Sequence, residues 1–444
     1  MEQPITLKGA FRFFLPLIFM TELNMISKSV IHAFVARLPS PKLGLAGFNV
    51  AFFFYFSLTS PNETANLLSI SYLRDRGSIA HLYGFFCILL AVPLALALAI
   101  ALTPFGAWLY GWLFGASAEV IRQAQQATLI LAFSAPVLML RAQSFGIIML
   151  NRRTILITWS TFLRVLSLGA SLLVLPLWLE GAAVGAGALV TCMTVESLFA
   201  FAVAQKYFRA LPEAQGAQPT YWELWRFSWP VILNQASESG MAVLINVFLG
   251  RLTSPDLALA AFGVVHGLTS LILSPLRNLL QTAQTLVRTA EDLRVMLRFC
   301  SILTAFFLAL VATLFLTPLR GTILQGVMGL TPELSAYSDP AVMLTVVVAV
   351  FWGYAALFRG LLAGGRKTGT FATSAAGRIL TVGALGGGAM LLPGVNGAVF
   401  GVTAWACAFA AETAILGWRL FLPMADAQPL FPLRRREAGR GREE

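Results

Sequence analysis

Charged residues are scarce in this chain: Asp, Glu, Lys and Arg make up 11% of 444 residues, too few to solvate soluble domains of that length. Cysteine is scarcer still. Cys87, Cys192, Cys300 and Cys407 all lie inside apolar runs without a CxxC or Cys/His spacing, so neither a disulfide framework nor a metal site is expected, and the four read as small core fillers. The three histidines, His32, His81 and His266, stand in separate segments, and no HExxH, P-loop or GxSxG occurs. No enzyme is therefore expected, and no cofactor.

What remains is apolar. Hydrophobic residues make up 58% of the chain and the mean hydropathy is +0.77. Runs of the ~20 residues needed to cross a hydrocarbon core as a helix recur about twelve times between Phe13 and Phe421. The net charge of +11 resides mainly in the short breaks between runs, where it sets topology, so nucleic acid is not an expected partner.

The two halves of the chain align at one constant offset. Arg12, Phe13 and Pro16 match Arg226, Phe227 and Pro230. The register holds through Ser60-Pro61 and Ser274-Pro275, Leu102-Thr103-Pro104 and Leu316-Thr317-Pro318, Gly146 and Gly360, and Arg164 and Arg378. A small insertion then shifts it, so that Glu196 matches Glu412. An internal repeat of this length predicts an all-α polytopic membrane protein of 12 transmembrane helices in two six-helix repeats. The expected spans are 11–35, 43–72, 79–103, 120–150, 153–178 and 182–208, then 225–249, 257–288, 293–318, 331–362, 367–392 and 397–421. An even number of spans per half makes the halves parallel, related by an axis along the membrane normal.

Residues 1–210 are thus expected to form one lobe, 211–224 a linker, 225–422 the second lobe, and 423–444 a basic disordered tail carrying Arg434, Arg435 and Arg436. Lys and Arg are concentrated on the side of the loops that hold Arg74, Arg152 and Arg366, which places both termini in the cytoplasm and the protein in the plasma (inner) membrane.

Ionisable groups at membrane depth cost at least about 2.5–3.5 kcal/mol each, so those retained are candidates for function. In the first span Asn24, Lys28 and His32 recur every four residues, with Glu22 close by. In the seventh, Asn234, Gln235 and Glu238 lie within about one turn. The eighth carries His266, Ser270, Ser274, Arg277 and Gln281, a polar stripe along an otherwise apolar helix. Glu63 occupies the first-half position that corresponds to Arg277, and opposite charges there would meet across the seam between halves, as a gate or as a permanent fastening. Glu22, Glu63 and Glu238 are candidates to carry a coupling H+ or Na+, since burial penalises their charged forms. Glu196, Glu412, Arg164 and Arg378 read as packing residues, the arginines near helix ends. Pro61 and Pro275 predict kinks beside the polar groups.

Gly250-Arg251-Leu252 followed by Leu257-Ala258-Leu259-Ala260-Ala261-Phe262-Gly263 resembles the junction of the first two spans in multidrug and toxic compound extrusion (MATE) proteins. That likeness implies a V-shaped, MATE-like bundle within the wider superfamily of drug, polysaccharide and lipid-precursor exporters. The drug-extruding branch usually has an aspartate five residues before that glycine; here Ile245 stands there, and Ile31 in the first half. Arg366-Lys367-Thr368, Arg378-Ile379, Leu392-Pro393, Gly397-Ala398, Gly401 and Glu412, together with Arg226-Phe227-Ser228-Trp229-Pro230, are similar to the progressive ankylosis family. That resemblance implies a monomeric secondary transporter exporting a small anion such as pyrophosphate, citrate or nucleotide, with Lys28, Arg277 and Arg141 or Arg359 as contacts, and membrane lipids as its surroundings. A flippase for a lipid-linked precursor, a MATE-type multidrug exporter and a non-transporting scaffold are the alternatives.

Overall fold

The computed structural model describes residues 5–35, 37–58, 62–114, 117–213, 217–252, 254–392 and 394–421; the basic tail lies outside them. All regular structure among these residues is helical. The helices are α1 (Leu7–Val35), α2 (Pro41–Leu58), α3 (Asn62–Tyr72), α4 (Arg76–Leu102), α5 (Pro104–Phe114), α6 (Ala118–Ala132), α7 (Ser134–Leu150), α8 (Ile155–Val174) and α9 (Ala182–Arg209) in the first part of the chain. They continue as α10 (Tyr221–Leu249), α11 (Pro255–Leu273), α12 (Leu279–Leu286), α13 (Ala290–Phe315), α14 (Leu319–Gly321), α15 (Pro332–Gly364), α16 (Gly369–Met390) and α17 (Gly397–Phe421).

Among the described residues nine helical segments are long and apolar enough to cross a membrane. The remaining expected spans, 43–72, 225–249 and 367–392, are also largely helical, but they carry polar groups such as Glu238 and Arg378. Several starts fall earlier than hydropathy places them, because capping boxes extend the helix into polar sequence. Asp75 caps α4 with Ser78, Thr220 caps α10 with Glu223, and Thr289 caps α13 with Asp292. The linker is shortened accordingly, and it is fastened to the start of α4: Arg76 donates to the Leu211 and Arg209 carbonyls, and Gln218 donates to Asp75. The short α5, with the exposed, stacked rings of Trp108 and Trp112, was not expected as a separate element. Its amphipathic indoles suit a membrane–water boundary. Cys192 and Cys300 are buried as expected for core fillers, whereas Cys87 is exposed on α4.

The helices pack as two bundles, α1–α9 and α10–α17, each built around its last helix: α9 lies against α7 and α8, and α17 against α15 and α16. Matching contacts recur at the repeat offset. Thr154 donates to the Phe13 carbonyl and Thr368 to the Phe227 carbonyl, both at 2.9 Å. Gly146 faces Ser69, and Gly360 faces Leu280 and Ala283. A Cβ on Gly360 would overlap the Leu280 carbonyl oxygen, a backbone atom that cannot rotate away. Gly360→Ala is therefore expected to cost about 1–3 kcal/mol by overpacking. A thermal melt of the purified protein checks this, with Gly383→Ala, whose surroundings are open, expected to melt like the wild type.

The two bundles meet through α1 and α3. Asn278 donates to the Leu17 carbonyl and to Thr21 Oγ1, Gln284 to the Leu67 carbonyl and Ser71 Oγ, Arg366 to the Ser71 carbonyl, and the Ile5 N–H to Asp292. Arg366 also lies 4.0 Å over the Tyr72 ring, and Tyr72 packs edge-on against Phe227. These hydrogen bonds between bundles lie between the level of Glu22 and Ser274 and this one end. Beyond Glu22, α1 turns to its own bundle, with Ile31 beside Gly185 and Val35 beside Gly44. The bundles are thus tied together at the end that carries Arg366.

Candidate functional site

The site is organised by a break in the eighth expected span. Pro275 cannot donate to the Leu271 carbonyl, and the helix gives way to a 3₁₀ turn at Ser274–Asn278 before α12 resumes. Ser274 Oγ takes over the released carbonyl at 3.1 Å, the kind of substitution that makes such breaks tolerable away from water. The turn rotates successive side chains apart. Ser274 and Asn278 face α1, while Arg277 faces α10.

Arg277 there meets Glu238, 3.2 Å from its guanidinium. Glu238 is also 3.0 Å from Arg359 of α15 and 3.6 Å from Arg378 of α16. Behind it Glu412 of α17 lies 3.3 Å from Arg378 and 3.7 Å from Arg359. Asn234, one turn before Glu238, joins the group by donating to Ser374 Oγ and Glu412 and accepting from Arg359. Arg378 further donates to the Asn234 carbonyl and Ser237 Oγ. Three guanidinium groups thus face two carboxylates. The Arg359, Arg378 and Glu412 side chains are 5%, 0% and 0% exposed, whereas that of Arg277 is 45% exposed. The outermost charge of the cluster is therefore a cation at a mid-helix break.

Aromatic rings flank this cluster, with the Arg378 guanidinium 5.9 Å from the Phe409 ring centre. The His266 ring stands 4.5 Å from that of Trp405 and close to Phe262, and Trp352 stacks on Phe409. The Trp352 indole N–H is buried without a partner.

The first bundle contains a smaller counterpart. Glu196 of α9 lies 2.8 Å from Arg141 of α7 and 3.3 Å from Arg164 of α8, and it accepts from Thr161 Oγ1. Arg164 also donates to Asn24 Oδ1 at 2.6 Å.

Glu22, Asn234, Glu238, Ser274 and Arg277 are brought to the seam or to the cluster beside it. Glu22 accepts from Ser274 Oγ at 2.9 Å, across the bundles. Asn24 and His32, spaced along one continuous helix, serve different partners: Asn24 is drawn to Arg164, and His32 meets Asn49 of α2 at 2.7 Å. The stripe His266, Ser270, Ser274, Arg277, Gln281 is likewise divided by the 3₁₀ turn, with His266 among the aromatic rings, Ser270 partly buried, and Gln281 Oε1 buried without a partner. Gln235 is partly buried on α10. The Lys28 and Glu63 side chains lie outside the described residues, and Arg277 is engaged by Glu238. Arg164 and Arg378 sit mid-helix, not near helix ends, because each is held by a buried carboxylate of the neighbouring helix. The recurrence of Arg164/Arg378 and Glu196/Glu412 was the sequence signal for both clusters.

No protein-family model and no curated protein sequence matches the chain. Solved structures do. A transporter of the MOP superfamily from Pyrococcus furiosus, described by the reverse polarity of its binding pocket, superposes with a TM-score of 0.73 at 16% identity over 93% of this chain and 95% of that one. A multidrug resistance MATE transporter in an outward-facing conformation gives 0.73 at 15% identity, over 95% and 97% of the two chains. A Vibrio cholerae MATE transporter gives 0.73 at 16%, over 96% and 98%. At such identities the likeness is one of fold, and the chain has the fold of these membrane transporters.

Proposed function

We propose that this protein is a secondary transporter that moves a small anion across the plasma membrane by alternating access between two six-helix lobes, 1–210 and 225–422, in twelve spans with both termini cytoplasmic. The observation that carries the reading is Arg277. A guanidinium 45% exposed at a helix break in the middle of an apolar span faces a water-filled cleft, not lipid, because hydrocarbon does not solvate it. Glu238 holds it only through one edge at 3.2 Å and is itself secured by Arg359 and Arg378, so an incoming oxyanion can take Arg277 without stranding the carboxylate.

Pyrophosphate, citrate and nucleotide fit this chemistry, and the likeness to the progressive ankylosis family points to the same compounds. The ties between lobes at the Arg366 end support an arrangement open to the opposite, outer side, since the positive-inside rule makes the arginine-rich end cytoplasmic. Coupling has a physical basis at Glu22. Ser274 has a single hydroxyl proton for two acceptors, the Leu271 carbonyl and the Glu22 carboxylate. Protonating Glu22 lets it donate to Ser274 and removes the competition, which ties a contact between lobes to a coupling proton.

The test is flux of labelled citrate, pyrophosphate and ATP into proteoliposomes, with and without a proton or sodium gradient. Saturable flux of at least one anion is expected. Its absence for all three, with transport of a cationic dye or of a lipid-linked headgroup instead, overturns the anion reading in favour of drug extrusion or lipid flipping.

A further inference from the structure

Among the described residues other than glycine, Ser40, Arg152 and Arg366 hold a left-handed backbone, at φ 56°, 55° and 56°. The two arginines are repeat equivalents, each placed just past the end of a long helix, α7 or α15. Glycine takes that conformation without the clash that a Cβ brings, and it is the usual residue at such helix ends. An arginine kept there in its place calls for a use of its side chain.

For Arg366 that use is visible. Its guanidinium crosses to the first bundle, donates to the Ser71 carbonyl at 2.7 Å and lies 4.0 Å from the centre of the Tyr72 ring. Ser71 stands in the last turn of α3, where carbonyls have no donor within their own helix. Ser71 Oγ returns the contact by donating at 3.2 Å to the Ala363 carbonyl, which also accepts from the Arg366 N–H. Tyr72 is thereby held between two residues of the second bundle, Arg366 over its ring and Phe227 edge-on at 5.5 Å.

The arrangement is one-sided. By the repeat, Arg152 would meet Thr285 and Leu286 as Arg366 meets Ser71 and Tyr72, but Leu286 offers no ring. Among the described residues Arg152 makes no side-chain hydrogen bond or ion pair. Arg366 is exposed, whereas Tyr72 is buried. An exposed guanidinium that lets go is taken up by water, so its release strands no buried charge. Arg359 and Arg378, buried against carboxylates, have no such freedom.

We propose that Arg366 and Tyr72 form a latch between the two lobes, engaged in the arrangement described and released when the lobes part at this end. It rests on the alternating-access reading and adds to it the contact that must break.

Nitroxide labels at Ala80 of α4 and Arg294 of α13, exposed repeat-equivalent positions near the same end, report the separation of the lobes by pulsed electron paramagnetic resonance. The full-length protein is used, with its four native cysteines replaced by alanine. R366G and Y72L are each expected to raise the ratio of longer to shorter distances at least about fivefold, the factor that one exposed cation–π contact and one hydrogen bond supply. R152G relieves the same backbone strain and leaves the latch whole, so it is expected to keep the wild-type distribution. A wild-type distribution in R366G or in Y72L, or a shift in R152G equal to that in R366G, overturns the latch. If R366G does not fold, Y72L decides alone: a shift upholds the proposal and the wild-type distribution overturns it. A wild type whose distances respond to citrate, pyrophosphate or ATP, with R366G and Y72L indistinguishable from it, removes the latch and leaves alternating access standing. A single distance in every variant, with and without each anion, removes both.

Discussion

Proteoliposomes carrying Arg277→Gln are expected to move the transported anion about 10–100-fold more slowly than wild type at subsaturating concentration, while the protein folds and melts almost normally. The magnitude is that of one charge-assisted contact, about 1.5–3 kcal/mol. Stability should change little because the Arg277 side chain is 45% exposed, and its partner Glu238 retains Arg359 and Arg378. Glu238→Gln gives the opposite signature at the binding step. It removes the internal competitor for Arg277, so the anion should bind more tightly, with KM falling as turnover slows. A purely structural pair would lose flux in both variants through poorer folding, without a split between KM and kcat. Parallel losses with unchanged KM would therefore retire Arg277 as a substrate contact.

The second large effect concerns Arg378, whose side chain is 0% exposed and lies 3.3 Å from Glu412 and 3.6 Å from Glu238. Arg378→Leu leaves Glu412 with the neutral Asn234 amide and, among the described residues, a single cation, Arg359, at 3.7 Å, in a packed interior. Breaking such a buried pair costs about 3–5 kcal/mol, a large share of the stability of any fold. Poor recovery of folded protein and a much lower thermal midpoint are expected. Arg378→Leu combined with Glu412→Gln removes both charges and should restore a substantial part of the loss, although the new amide at 412 must still find partners in Asn234 and Arg359. If the double variant is no more stable than the single one, the damage comes from lost packing over Phe409, where Arg378 lies 5.9 Å from the ring centre, and not from charge.

Both variants concern a cluster that was only partly readable in the sequence. Asn234 and Glu238 were visible as polar residues in an apolar run, as was Arg277, since each violates hydropathy locally. Arg359 and Arg378 were visible too, but nothing local says that α15, α16 and α17 turn those residues and Glu412 towards one point. Arg277 is the sharper case. Its expected partner was Glu63, by symmetry between the halves, and that side chain lies outside the described residues; among those described, the 3₁₀ turn at Pro275 sets Arg277 against Glu238. The sequence showed the proline and hence a kink, but the direction in which a broken helix re-emerges is set by what packs around it. The same limit explains why Asn24 and His32, on one helical face on paper, serve different partners.

The chain's residues alone determined that it is helical, that many segments are long and apolar enough to cross a membrane, and where ionisable groups interrupt them. Those are properties of a single segment against its solvent, and hydropathy and helical period read them directly. Only the tertiary structure decided which charges meet, where the two bundles are tied together, and which arginine remains half exposed. These depend on residues from different helices arriving within about 4 Å of one another, and an electrostatic contact at that range carries no trace in the local pattern of either partner.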